Sequence, residues 1–286
     1  MPKAPYQLFL PKERSTSVVF SSPHSGRHYG WGFQRKSLLD ELAIRSSEDA
    51  YVDRLFETAP TMGAPLLTAL TPRAFVDLNR SAEELDPALV EGVKKGSHNP
   101  RIASGLGVIP RVVSNGRAIY RGKIPLSEAQ HRISYHWRPY HDTLQGLLNE
   151  SLGTFGEAIL VDCHSMPHEA LENLTASGVP RADVVLGDRF GAAAHSEIVE
   201  EIEAAFSAAG LTVSRNAPFA GAYITQHYGR PSKRQHVVQV EIDRSLYMDE
   251  ALVRPSKDFH AFRRLIKGVI GEIVKIGHRR ISLAAE

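Results

Sequence analysis

The sequence predicts an α/β protein, a three-layer α/β/α arrangement around a central, mostly parallel mixed sheet. Three observations lead there. Strongly apolar runs such as Ala158-Ile159-Leu160-Val161 and Val237-Val238-Gln239-Val240 read as strands buried on both faces. Stretches with helical periodicity, at 192–209 and 257–278, alternate with them. The composition, 42% hydrophobic and 23% charged over 286 residues, is that of an ordinary globular chain, and one α/β domain over residues 1–286 accommodates it.

The elements follow in order. Ser17 to Ser21 is a short strand running into Ser22-Pro23-His24-Ser25-Gly26, where Pro and Gly shape a turn. Ser46-Ser47-Glu48-Asp49 has the character of a helix start: serine can cap, acids suit the positive end, and Tyr51, Val52, Leu55, Phe56 and Ala59 repeat at helical spacing. Residues 65–70 and 74–77 read as two strands, the second continuing into Leu78-Asn79-Arg80. Residues 81–125, rich in Gly, Pro, Asn and charge and including Gly96, form a long irregular excursion, expected as a wall or lid of a pocket. A helix opens at Leu126 and runs to about Leu152, with a bend expected at Pro139. The 158–165 strand follows, then a loop with Pro167, Asn173 and Gly178, a strand at 182–187, and the 192–209 helix closed by Gly210. A short strand at 211–213, a part-strand, part-loop stretch at 222–229, the 237–242 strand and the 257–278 helix complete the chain.

Bulk properties narrow the function. The net charge of +2 gives no reason to expect nucleic acid or an anionic membrane. The single cysteine, Cys163, excludes an intramolecular disulfide and a Cys-based zinc site. Residues 1–10 lack the apolar core of a signal peptide, and no apolar run reaches the ~18 residues of a membrane span. The expected location is the cytoplasm, the expected partner a small-molecule substrate; oligomeric state is left open.

Polar residues where strands end carry the chemistry. Asp162 and His164 alternate onto one side of their strand and Cys163 onto the other. A histidine there can bind a metal with Asp162 orienting it, or can cap a loop. His24 also follows a strand. Asp77, Asn79 and Arg80 make a poor core but suit a charged ligand, the Arg fork gripping a carboxylate and the amide donating; an Asp77–Arg80 ion pair is the plainer alternative. Glu241 lies inside an apolar strand, where a carboxylate must be paired, protonated or catalytic. His131, His136 and His141 are expected on the helix surface or behind a site, and Tyr135, Trp137 and Tyr140 in packing. Two histidines plus a carboxylate, with a position for water and a separate glutamate base, is a catalytic zinc set.

The motifs Ser-Pro-His-Ser-Gly at 22–26, Glu48-Asp49 before Val52-Asp53, Val76-Asp77-Leu78-Asn79-Arg80, Asp162-Cys163-His164-Ser165, Ile224-Thr225 through Tyr228-Gly229, and Val240-Glu241 before Tyr247-Met248 resemble the N-formylglutamate amidohydrolase family from about residue 17 to 250. The resemblance implies a zinc-carboxypeptidase-like fold, related to aspartoacylase through Asp-Leu-Asn-Arg. It implies zinc ligands His24, His164 and Asp49, with Glu48 as the alternative to Asp49, and Glu241 as general base. It places Asn79, Arg80, Arg73 and Gln226 at substrate-binding positions. Histidine-degrading members usually carry Arg where this chain has Gln226, a departure that bears on specificity for formylglutamate and not on zinc chemistry. Arg73, Arg230 and Arg244 are the candidate replacement cations.

The expected activity is therefore zinc-dependent cleavage of a small N-acyl amino acid, N-formyl-L-glutamate to formate and L-glutamate first. The alternatives are hydrolysis of another N-acyl amino acid or short peptide, a catalytically silent binding protein on the same fold, and a cysteine hydrolase using Cys163.

Overall fold

The computed structural model describes residues 4–94, 99–171 and 181–283; Gly96, Asn173 and Gly178 lie outside the described residues. The main strands are β1 (Tyr6–Phe9), β2 (Val18–Ser22), β3 (Leu66–Ala69), β4 (Ala158–Met166), β5 (Val184–Gly187), β6 (Val213–Arg215) and β7 (Gln235–Asp243). The helices are α1 (Trp31–Lys36), α2 (Val52–Leu55), α3 (Pro100–Ala103), α4 (Leu126–Arg132), α5 (Arg138–Phe155), α6 (Ser196–Ala208), α7 (Tyr223–Tyr228) and α8 (Phe259–Leu283). The strands join in one mixed seven-stranded sheet in the order β1-β3-β2-β4-β7-β5-β6. β4 runs parallel to β2 and to β7, and β5 parallel to β6; β5 meets β7 antiparallel. The α/β expectation with a mostly parallel mixed sheet holds.

The chain divides into two compact units, one of Met1–Gln7, Pro23–Ala50 and Thr68–Thr143, the other of Leu8–Ser22, Tyr51–Leu67 and Leu144–Glu286. The second contains the centre of the sheet. Its strands β4 and β7 are buried along their whole length, which is why they read as continuous apolar runs. Ile198, Val199, Ile202 and Phe206 of α6 and Ile266, Val269, Ile270 and Ile273 of α8 give each helix a buried stripe at helical spacing. Gly210 closes α6 in the left-handed region, at φ 84°. Gly277 lets α8 come close to the chain before β2, because a Cβ there would lie 2.1 Å from Thr16 Oγ1.

The first unit has little sheet. Phe33 packs edge-on to Phe75 at 5.1 Å, and the buried Arg132 guanidinium lies 4.0 Å over the Phe75 ring. In the 81–125 stretch, Asn99 caps α3 by accepting from Arg101 N–H at 2.9 Å, and isolated bridges join Val90 to Ile124 and Val112 to Ala118.

Several local expectations are corrected. No helix starts at Ser46 or Ser47: Asp49 N–H turns back to the His24 carbonyl, and Tyr51, at φ 67°, interrupts any helix before α2. Residues 74–77 are a turn, with Phe75 and Val76 N–H both bonding to Pro72 O; their apolar side chains are buried by packing, not by a sheet. The 222–229 stretch is the helix α7, closed by Gln226 N–H to Ala222 O and Gly229 N–H to Thr225 O in spite of β-branched Ile224 and Thr225. The irregularity in the long helix falls before Pro139, as a π-helical turn over Ile133–Trp137. β6 sits two residues later than the expected 211–213 strand, and β1 was not anticipated.

Candidate active site

In the first unit, two residues beyond β2, His24 is 2% exposed. Its turn requires glycine at 26, where a Cβ would stand 2.0 Å from the Thr71 carbonyl oxygen. His24 Nε2 lies 2.8 Å from Asp77 Oδ1. Asp77 also accepts from Asn79 N–H at 2.8 Å and from Arg73 Nε at 2.9 Å. Burial alone would raise the Asp77 pKa, but Arg73 and His24 outweigh it and hold the carboxyl well below its usual range. Asp77 is thus an anion that accepts the Nε2 proton, and the His24 lone pair falls on Nδ1, which faces Asp49 Oδ2 at 3.5 Å. An imidazole and a carboxylate bound to one ion at ~2.0–2.2 Å are separated by about this distance, so the donor pair fits a zinc-like ion.

Glu48 is differently placed. Arg45 Nε and Nη2 donate to its two oxygens at 2.9 and 3.1 Å, and Tyr29 O–H donates at 3.3 Å. Between the two acids that the sequence offers, Asp49 is the one beside His24.

The loop carrying Arg73, Asp77, Asn79 and Arg80 is held at four points from the helix that follows it. His136 Nδ1 bonds Thr71 Oγ1 at 2.7 Å, and Arg132 donates to Phe75 O at 3.1 Å. His141 Nε2 donates to Leu78 O at 2.9 Å, and Trp137 Nε1 to Arg80 O at 2.8 Å. His136 and His141 are buried, not surface groups; His131 alone of the three is exposed. Asn79 and Arg80 are buried, and Arg80 Nε has no hydrogen-bond partner among the described residues. The ion-pair partner of Asp77 at bonding distance is Arg73, not Arg80.

In the second unit, β4 and β7 pair so that Asp162 lies beside Gln239 and His164 beside Glu241. Alternation puts all four side chains on one face. His164 Nε2 lies 3.0 Å from Asp162 Oδ2, which again places the ring lone pair on Nδ1 when the carboxylate accepts. Glu241 accepts from Gln239 Nε2 at 2.9 Å, and Gln239 Oε1 accepts from Ala222 N–H at 3.2 Å. The second bond orients the Gln239 amide, so it is the NH₂ that faces Glu241. Cys163 is on the opposite face with Sγ 3.4 Å from Val161 O, and burial followed by Asp162 pushes its thiol well above the usual range. A thiol so held stays protonated, which removes the cysteine-hydrolase alternative. Gln226 and Arg230 are on exposed positions of or after α7, and Arg244 is buried with Nε donating to Ser165 Oγ at 3.1 Å.

Sequence reasoning missed two partners. Asp77 reads as a ligand-gripping residue, and its bond to His24 could have been sought only as the carboxylate that an imidazole ligand needs. Gln239 is two residues before Glu241, a same-face spacing that marks it.

A mixed α/β sheet with buried imidazole and carboxylate groups where its strands end is the framework of an α/β enzyme, and His24 and Asp49 in the first unit and His164 in the second are buried groups of the kinds that bind metal ions. The family model of N-formylglutamate amidohydrolase matches residues 16–248. The chain is 30% identical over 243 residues to an N-formylglutamate deformylase of Pseudomonas aeruginosa, covering 84% of this chain and 85% of the relative. It is 30% identical over 236 residues to one of Pseudomonas putida, covering 82% of each. A crystal structure of N-formylglutamate amidohydrolase from Ralstonia eutropha JMP134 superposes with a TM-score of 0.90 at 34% identity, covering 96% of this chain and 99% of that one. The chain belongs to the N-formylglutamate amidohydrolase family.

Proposed function

We propose that residues 1–286 work as one zinc-dependent hydrolytic domain that cleaves the amide of N-formyl-L-glutamate to formate and L-glutamate. The observation that carries this reading is the family match over residues 16–248, inside which His24, Asp49, His164 and Glu241 all fall. His24, Asp49 and His164 would hold the metal, with Asp77 and Asp162 behind the two imidazoles. Bound there, zinc would supply polarisation of the amide carbonyl and acidification of water toward a pKa of ~7. Glu241 would serve as the general base that accepts a proton from the attacking water and returns it to the leaving amine. Its bond from Gln239 aims the carboxylate. Arg80 with Asn79 grips a substrate carboxylate, while Arg73, whose Nε is committed to Asp77, reaches the carbonyl oxygen through its Nη groups. Gln226 is assigned to the substrate as a neutral hydrogen-bonding group. In this reading the enzyme acts in the cytoplasm, in histidine degradation; no helix among the described residues is long and apolar enough to cross a membrane.

The test is metal analysis combined with formate release from N-formyl-L-glutamate by the protein as purified, after chelation, and after zinc is restored. Activity that disappears and returns with the metal supports the reading. A zinc-replete protein that releases no formate overturns it, and activity indifferent to chelation overturns its metal part.

A further inference from the structure

The cation for a second substrate carboxylate is still to be found. Of the three candidates offered by the sequence, Arg73 is tied to Asp77, Arg230 is exposed and Arg244 donates to Ser165. The second unit contains another. Asp243 ends β7, two residues beyond Glu241 and therefore on the same face of the sheet. Asp243 Oδ2 lies 2.7 Å from His168 Nδ1, and His168 Nε2 lies 2.9 Å from Arg181 Nη1. Arginine can only donate, so Nε2 accepts and Nδ1–H is the proton given to Asp243. Ser245 Oγ stands 3.1 Å from the same Nδ1, and Glu250 Oε1 accepts from His168 N–H at 2.9 Å. The imidazole is thus held in one tautomer and one orientation, and it holds the guanidinium by Nη1.

That grip leaves the opposite edge of Arg181. Its Nε and Nη2 are buried and have no hydrogen-bond partner among the described residues. These two nitrogens form the side-on fork that takes a carboxylate through two parallel bonds, as the same edge of Arg45 does with Glu48. A covered guanidinium edge with neither donor satisfied is costly unless an anion fills it.

We propose that Arg181, held by His168 and Asp243, binds the side-chain carboxylate of an N-acyl dicarboxylic amino acid. The proposal rests on the amidohydrolase reading and names the substrate feature selected by the same site. Asp243 lies about 6.6 Å along the strand from Glu241, at ~3.3 Å per residue, and His168 and Arg181 extend beyond it. Of the two carboxylates of N-formylglutamate, the one on the side chain is farther from the scissile amide, so it is the one with the longer reach toward a cation beyond Asp243. Nothing cationic is then required at 226.

The experiment compares wild type, R181M and R181K by the ratio of kcat/KM for N-formyl-L-glutamate over N-formyl-L-glutamine. Because slow variants would blunt that ratio, the difference in thermal shift produced by L-glutamate and L-glutamine is measured on the same proteins. We expect wild type to favour the acid, and R181M to lower the ratio at least tenfold and abolish the extra shift given by glutamate. R181K, which keeps charge but not the fork, should fall between. A ratio and shift difference in R181M within threefold and within error of wild type overturn the assignment, as does a wild type with no preference for the acid. Wild type that hydrolyses no N-formyl amino acid defeats the amidohydrolase reading instead, and Arg181 is then judged by the glutamate shift alone.

Discussion

His24 Nε2 and Asp77 Oδ1 are 2.8 Å apart across fifty-three residues of sequence. The carboxylate is held ionised by Arg73, so it acts on the imidazole as a permanent acceptor and decides which ring nitrogen keeps its lone pair. Asp77→Asn would remove that charge while keeping the shape. We expect zinc affinity, measured by chelator competition, to fall on the order of 10–100-fold with far-ultraviolet circular dichroism unchanged. Affinity equal to wild type would reduce Asp77 to a partner for Arg73.

Glu241 is expected to be dispensable for structure and not for turnover. Glu241→Gln should keep its metal content and lose on the order of 10²–10⁴-fold in kcat. Near-normal kcat would make the residue a bystander, and loss of zinc would make it a ligand.

The strands β4 and β7 were legible because both faces are buried, and a buried strand cannot hide an acid such as Glu241 among Val and Ile. What escaped the sequence was decided by distant backbone groups. The Phe75-Val76 pair has strand character, yet Phe75 O is held by Arg132 and its ring by Phe33, so burial is reached without a ladder. Tyr51 continues a helical pattern but takes a left-handed backbone, and two residues before it Asp49 N–H is drawn to His24 O instead of into a helix. Of the candidate site, the strand-end residues were visible. The carboxylates and amides that orient them were not, since Asp77 and Gln239 acquire meaning only beside His24 and Glu241.

Gly26 should not tolerate a side chain. A Cβ would lie 2.0 Å from a backbone oxygen, which cannot swing aside as a side-chain end could. Gly26→Ala should cost about 1–3 kcal/mol or more and lower Tm by roughly 2–10 °C. Gly32→Ala is the control, because open space surrounds that position in α1 and alanine suits a helix. Equal Tm values for the two variants would contradict the close approach of the His24 turn to Thr71.

His136 should impose a pH dependence on stability. Burial first, then His131 and Arg132, lower its pKa from 6.5 to about 4. As pH falls below 6.5 the unfolded chain takes up a proton that the native chain refuses until about pH 4, so this group's contribution is lost progressively across that window. His136→Asn should therefore flatten the rise of the urea midpoint between about pH 4 and pH 7 relative to wild type. Parallel curves would show that His136 is protonated as readily in the native state as in the unfolded one.

The π turn at Ile133–Trp137 works as a phase shifter. An α-helix advances about 100° per residue, so Arg132 and Trp137 would point about 140° apart on a regular helix. The wider turn, closed by Arg138 N–H on Ile133 O, brings them round to the same side, one reaching Phe75 O and the other Arg80 O. Register in this helix therefore carries information that composition does not. A substitution within 133–137 changes one contact, whereas insertion of one further residue there turns every later side chain, His141 included, by about 100° away from the loop that presents Asn79 and Arg80. A chain shortened by one residue between Arg132 and Trp137 would close a regular α turn and keep both side chains on the loop's side, whereas a lengthened one would not.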